Sequence, residues 1–319
     1  LYELPAVLLS AAARVMTGTV LTEEGRLSLL LRQLKWAEEK TAFYRTAFER
    51  AGIRAASVAS FADMARLPFL ERAAKEGAEA PFFMLTLPLS SVLRISILHD
   101  GGDEGRVHCY TQGDVARQVQ TVGDMLAACG VNRASTVLLV GDFTDSRMLD
   151  LQYALDAIGA AVLPCTVGTA AQLLRAAVPD TVIAWACELP ALADAMGDLC
   201  VNRLITVGNR PALQASVRKL AERLAVRCVH LFTLAQMGAL IGARCSGGDG
   251  IHLEERLFFA EVLDGVGQCS RAGGACGELV LSTIAAEAMP ILRWRTGLQV
   301  RLSRETCGCG DARLRIIEE

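Results

Sequence analysis

The sequence predicts an α/β protein, a mainly parallel sheet layered with helices and followed by a β-rich subdomain. Three observations predict it. Between residues 112 and 232, apolar runs of strand length alternate with amphipathic stretches of helical period, which is the signature of a βα series. After Gly242 the pattern turns to short strand-like runs joined by glycine-rich turns, as in an appended barrel or small sheet. The 319 residues, 52% of them hydrophobic, suffice to bury a full core in one large or two modest domains.

In chain order, the opening LPAVLLSAAARVMTGTVL reads as an amphipathic helix and not a targeting peptide, because Arg14 interrupts it and no basic stretch precedes it. Residues 23 to 51 place Leu27, Leu30, Leu31, Leu34, Ala37, Phe43 and Phe48 at mainly helical spacing, predicting one long helix stopped by Gly52. Ser60 and Asp63 begin a short turn, and an irregular Pro81 to Pro88 stretch leads to Arg94–Thr111, which reads as strand, glycine-rich turn, strand. Helices are then expected at 112–129, 146–158, 169–177, 188–199 and 211–225, with strands at 135–140, 160–164, 181–185, 203–207 and 227–232. The strand-rich remainder is IHLEE, RLFFAEVL, CGELVLSTI, PILRWRT, LQVRLS and ARLRII. The division expected is an α/β core with N-terminal helices over 1–242 and a β-rich subdomain over 243–319.

Composition excludes several classes. A formal charge of -3 without a Lys/Arg stripe leaves no footprint for nucleic acid, and no run is long and apolar enough to span a bilayer. Most of the eleven cysteines, such as Cys129, Cys165, Cys187 and Cys228, stand singly in apolar runs and behave as small hydrophobes. That usage fits a reducing, cytoplasmic setting, in which Cys269 and Cys276 stay thiols.

Two places carry chemistry. The turn around Gly101 and Gly102 has the backbone shape of a phosphate-holding loop, yet Asp100, Asp103 and Glu104 flank it, and three carboxylates raise the energy of a bound phosphate. His99 in this turn is a candidate base or metal ligand or a solvated side chain; His108 and His230, on strands, are expected to pack or hydrogen-bond. The second place is Cys245, His252, Cys307 and Cys309, a C-x6-H followed at distance by C-x-C. Three thiolates and an imidazole make a closed tetrahedral zinc site of the structural kind; the alternative is a core thiol, a strand histidine and a tight C-G-C-G turn.

Specific stretches carry a resemblance: AFYRTAFERAGI at 42–53, Leu67-Pro68, LRI at 93–95, YT at 110–111, VGNRP at 207–211, GIHLEE at 250–255, GELVLST at 277–283, and AMPILRWRTG at 288–297 followed by CGCG. In this order they resemble the large N-terminal domain of the adenylate-forming enzymes, most closely the phenylacetate-CoA ligase family, over most of the chain. The resemblance implies an adenylate-forming-enzyme-like fold and conversion of a carboxylic acid and ATP to an acyl-adenylate, with transfer to CoA. Similar Cys/His positions occur in that family. Members also pair, which implies a homodimer, and carry a small C-terminal lobe with a catalytic lysine, which has no counterpart here.

Four motifs depart from the family, the last by Arg210 in place of Glu. Its Ser/Thr/Gly-rich phosphate loop ending in Lys-Pro falls on Leu98–Gly105, where His99, Asp100, Asp103 and Glu104 stand. Its Tyr-Gly-Leu-Ser/Thr-Glu motif falls on Phe232–Gln236, so Gln236 offers an amide where Mg²⁺ wants an anionic oxygen. The ribose-accepting Asp after its Arg-Thr, here Arg295-Thr296, falls on Leu298, which accepts nothing. The adenine-contacting Gly-x-Glu-Pro falls on Gly208, Asn209, Arg210 and Pro211. Gly101, Gly102, Gly208, Asn209, Pro211, Phe232 and Arg295 are the positions implied for a nucleotide, and Phe143, Tyr153 and Trp185 those for an acid; Arg293 and Arg295 are either an anion site or a solvated face.

The departures put ATP, AMP and Mg²⁺ binding in doubt. They favour a catalytically impaired domain that keeps a pocket for a small carboxylic acid or a nucleotide and acts by binding or association. Alternatives are an active ligase with non-standard residues, for example a cation held by the loop carboxylates, and an unrelated nucleotide-binding α/β module.

Overall fold

A computed structural model describes residues 22–70, 82–100, 105–196, 201–211, 214–245 and 250–319. The reading of the opening segment, and the turn residues Gly101, Gly102, Asp103 and Glu104, lie outside the described residues.

Two helices, not one, open the described chain: α1 (Glu23–Lys40) and α2 (Ala42–Arg50). Thr41 makes the break, since it is extended (φ -121°, ψ 135°) and its hydroxyl accepts from the Tyr44 N–H at 3.2 Å, an N-cap inside a continuous amphipathic pattern. Gly52, at φ +65°, ends α2 as expected. Both helices dock on sequence far ahead. Gln33 Nε2 donates to the Ala286 carbonyl (2.9 Å), Trp36 Nε1 to that of Glu287 (3.1 Å) and the Tyr44 hydroxyl to that of Pro290 (2.9 Å).

Strands β1 (Arg94–Leu98) and β2 (Arg106–Tyr110) form the expected antiparallel hairpin. The βα series follows: α3 (Gln112–Ala128), β3 (Thr136–Val140), α4 (Ser146–Ile158), β4 (Ala161–Cys165), α5 (Val167–Ala177), β5 (Thr181–Trp185), α6 (Leu189–Met196), β6 (Arg203–Gly208), α7 (Ala215–Leu224) and β7 (Arg227–Leu234). Helix α7 begins four residues after Pro211, later than the sequence suggests. Strands then dominate: β8 (Ala239–Arg244), β9 (Ile251–Leu253), β10 (Phe258–Leu263), β11 (Cys269–Ser270), β12 (Cys276–Thr283), β13 (Trp294–Ser303) and β14 (Arg315–Glu318). β13 joins two stretches the sequence separates, because Gly297 accepts φ +75° within the strand.

The hydrogen-bonded order β11-β10-β12-β13-β14-β9-β8-β7-β6-β5-β3-β4 makes one sheet. β4, β3, β5, β6 and β7 run parallel, and every pairing from β7–β8 onward is antiparallel. Apolar clusters cover both faces of the parallel half, as its near-continuous Val/Ile/Leu strands require. The largest cluster packs α1 and α2 on the antiparallel half. Strand order reverses at β3, which lies between β4 and β5, so the C-terminal ends of β3 and β5 border the crevice where open α/β sheets take ligands. Among the described residues no helix is long and apolar enough to cross a membrane.

Candidate functional site

Four segments meet at the C-terminal ends of the parallel strands: the exit of β1, the β3–α4 connection, the exit of β6 and the four-residue turn 235–238 between β7 and β8. Asp145 N-caps α4, which seats Arg147 one turn from the crevice, where it is 1% exposed. Its Nε and Nη2 donate to Asp145 at 3.0 and 2.6 Å, its Nη1 donates to Asp100 Oδ1 at 3.1 Å, and Nη2 also reaches the His99 carbonyl at 2.8 Å. The guanidinium lies 4.6 Å from the centroid of the Trp185 ring. Burial opposes its charge, but Asp145 and Asp100 hold it above its ordinary value. The second Asp100 oxygen accepts from the Ala235 N–H at 2.7 Å, and Asn209 Nδ2 donates to the Asp100 carbonyl at 3.1 Å.

The 235–238 turn is fixed from below by β2. His108 Nε2 lies 2.6 Å from the Ala235 carbonyl, and the Tyr110 hydroxyl donates to the Gly238 carbonyl at 2.7 Å. Gly238 has φ +72° and a Cβ there would sit 2.6 Å from the His108 ring, so glycine is required. Gln236, half-buried, rides on this turn. Beside it a cavity of about 50 Å³ is bordered by Tyr110, Arg117, Met237 and Met289. It has room for a few waters only, so a larger ligand must move its walls.

Several of the other implied positions are packed against protein groups. Leu298 (8% exposed) and Phe232 (0%) belong to the largest core cluster. Gly208 ends β6 against His230, whose ring would lie 3.0 Å from an added Cβ. His230 hydrogen-bonds the Thr206 hydroxyl (2.7 Å) and the Arg210 carbonyl (2.8 Å), and burial pushes it down to about 4. Arg210, standing for the family's Glu, pairs with Glu318, and Pro211 is buried.

The acid positions are likewise engaged. Tyr153 lies under the Arg94 guanidinium at 5.6 Å, Trp185 under Arg147, and Phe143 packs on an apolar cluster. Arg94 also bonds Asp150 at 2.6 Å, whose burial pushes it up to about 6. Arg293 is a buried ion-pair partner, and Arg295 lies on an exposed face in an ion pair. Arg293 is 1% exposed, 2.6 Å from Glu261, and Arg295 binds Glu278 at 2.6 Å, so protein carboxylates occupy both. Sequence reasoning missed Arg147 altogether; the only signal is Asp145 at an N-cap position with a cation two residues on.

The cysteine cluster is brought together. Cys245 follows β8, His252 lies on β9 opposite Ala243 and Arg315, and Cys307 and Cys309 sit in the β13–β14 connection. Their ligand atoms lie within 4.8 Å of one another. Cys245 Sγ is 3.4 Å from Cys307 Sγ and 3.3 Å from His252 Nε2, which is 3.5 Å from Cys309 Sγ. A zinc with sulfur ligands at about 2.3 Å in a tetrahedron needs sulfurs roughly 3.8 Å apart, so small shifts suffice. His252 Nδ1 is buried without a hydrogen bond but lies 3.5 Å from Asp311, a carboxylate placed to orient a ligating imidazole.

No protein-family model matches the chain. It is 26% identical over 294 residues to phenylacetate-coenzyme A ligase of Escherichia coli (strain K12), covering 86% of this chain and 67% of that protein. It is 27% identical over 293 residues to phenylacetate-coenzyme A ligase of Aromatoleum evansii, covering 86% and 66%. The chain therefore spans about two thirds of the length of these relatives. Among solved structures, the open conformation of a 2-hydroxyisobutyryl-CoA ligase in complex with 2-HIB-AMP and CoA superposes with a TM-score of 0.83 at 17% identity, over 92% of this chain and 73% of that one. The same enzyme in its thioesterification state gives 0.84, over 93% and 67%. The chain resembles phenylacetate-CoA ligases in sequence and has the adenylate-forming CoA ligase fold.

Proposed function

We propose that this chain is a phenylacetate-CoA-ligase-like adenylation domain that acts by binding a small carboxylic acid or nucleotide, or by association, and is impaired in forming acyl-adenylate. The observation that carries this reading is the closure of the nucleotide end by the protein's own groups. Leu298, at the ribose position, is core; Gln236, at the Mg²⁺ position, brings no charge; and the backbone N–H beside it is already bonded to Asp100. Adenylyl transfer depends on positioning and charge neutralisation, and among the described residues these positions are apolar, uncharged or already bonded to protein groups.

Cys245, His252, Cys307 and Cys309 are the proposed ligands of one structural zinc. The ion would tie β8 and β9 to the β13–β14 connection, with no open position for water or substrate. Thiolate ligands suit the reducing cytoplasmic setting expected from the sequence.

A second reading, an active acid–CoA ligase using non-standard residues, is supported by the similarity to ligases over 86% of the chain. The test is pyrophosphate release by purified protein with ATP, Mg²⁺ and a panel of aryl and short-chain acids. Absence of release, together with no heat on titrating ATP, is expected; turnover that Gln236→Ala abolishes overturns the first reading.

A further inference from the structure

Asp100 has the surroundings of a bound ligand. Its carboxylate bridges Arg147 Nη1 (3.1 Å) and the Ala235 N–H (2.7 Å), while its carbonyl takes the Asn209 amide (3.1 Å). These donors are positioned by other partners. Asp145 accepts Arg147 Nε and Nη2, the Trp185 face lies against the guanidinium, and His108 and Tyr110 hold the carbonyls at both ends of the 235–238 turn. A buried guanidinium and a backbone N–H, preorganised and converging, are the components of an oxyanion site.

We infer that Arg147 and the Ala235 N–H form an anion-binding site whose occupant is the chain's own Asp100, and that this side chain excludes oxyanions such as phosphate or a carboxylate from solution. The inference rests on the reading that the nucleotide end no longer grips phosphate, and it gives part of that loss a removable cause. A tethered carboxylate competes at the high effective concentration of an intramolecular group, so a free anion cannot displace it. Removing Asp100 leaves Arg147 paired with Asp145 and still directs Nη1 and the Ala235 N–H at a carboxylate-sized space. The ligand class is a small oxyanion, with formate and acetate as the nearest mimics and inorganic phosphate as the larger one.

The test is thermal unfolding of wild type and Asp100→Ala, titrated with sodium formate, acetate or phosphate against chloride at constant ionic strength. Asp100→Ala is expected to melt below wild type and to recover saturably, by about 2 °C at ten times the dissociation constant. Wild type should show less than a tenth of that response, and Asp100→Ala/Arg147→Gln none. Equal responses in wild type and variant, or none in a folded Asp100→Ala, overturn the inference. If Asp100→Ala does not fold at the working temperature, anion-dependent refolding of Asp100→Ser from urea supports the inference and anion-independent refolding counts against it. ATP turnover by wild type would sink the non-catalytic reading without touching this result, and a failed rescue would leave that reading standing.

Discussion

The cysteine corner and the nucleotide end bring polar side chains together in opposite ways. At the corner, four atoms of one kind converge: three sulfurs and an imidazole nitrogen, all electron-pair donors, within 4.8 Å. Once the thiols lose their protons such atoms have no hydrogen to share, and the proposed zinc would complete them. At the nucleotide end the atoms are complementary. Arg147, Asn209 and the Ala235 N–H are hydrogen donors, and Asp100 and Asp145 accept from them. A cluster of like atoms asks for an outside partner; a cluster of opposites is complete without one.

The strongest way to break this contrast is to test for the proposed zinc. Chelation, or Cys307→Ser, is expected to cost on the order of 5 kcal/mol or more, seen as roughly 7 °C or more in Tm. Elemental analysis should find one zinc per native chain. A metal-free protein in which Cys307→Ser costs under about 1 kcal/mol would mean the corner is not a site.

Next is Arg147→Met, which strands the carboxylates of Asp100 and Asp145, each about 15% exposed. Loss of one partner from a buried pair costs about 3–5 kcal/mol, measurable by urea unfolding. Adding Asp100→Ala should return part of it, because the two positions are coupled. A near-neutral Arg147→Met would show that the nucleotide end is not a completed structure.

The smallest effect is a pH dependence with two opposing signs. His230 sits at about 4 in the folded protein against 6.5 ordinarily, so between these values the unfolded chain binds more protons. Its contribution is therefore present above pH 6.5 and lost as pH falls to about 4, by up to about 3 kcal/mol. Asp150 is raised from 3.8 to about 6, so the folded state holds the extra proton and the contribution is lost as pH rises through that window. The stability difference between wild type and His230→Asn should shrink on acidification from pH 6.5 to 4, and that for Asp150→Asn should grow. Parallel curves for either variant would exclude a buried titrating group there.

The βα series was legible because strands such as Val137–Val140 are apolar throughout and the helices between them keep a 3.6-residue stripe, so the period alone separates them. The Thr41 break was hidden, since a threonine can sit in a helix or cap one and only the fold decides. Strand β8 was hidden as well: Ala239–Arg244 follows a turn whose one punctuating residue is Gly238. The cysteine cluster could be read because few other roles suit three cysteines and a histidine at that spacing. Arg147 and Arg293 could not. An arginine looks solvated in sequence, and what buries these two is a carboxylate 47 residues away for one and 32 away for the other.

The docking of α1 and α2 has a consequence for how the protein is made. Gln33 and Trp36 find their partners at Ala286 and Glu287, separated from them by 253 and 251 residues. At about 5–20 residues per second on the ribosome, that is a delay of roughly 10–50 s. During it the apolar side of both helices, Leu30, Leu34, Tyr44 and Phe48, has no sheet to cover it. The nascent chain thus presents a hydrophobic helical pair to the cell before its fold can close over it, a surface that a holding chaperone would bind.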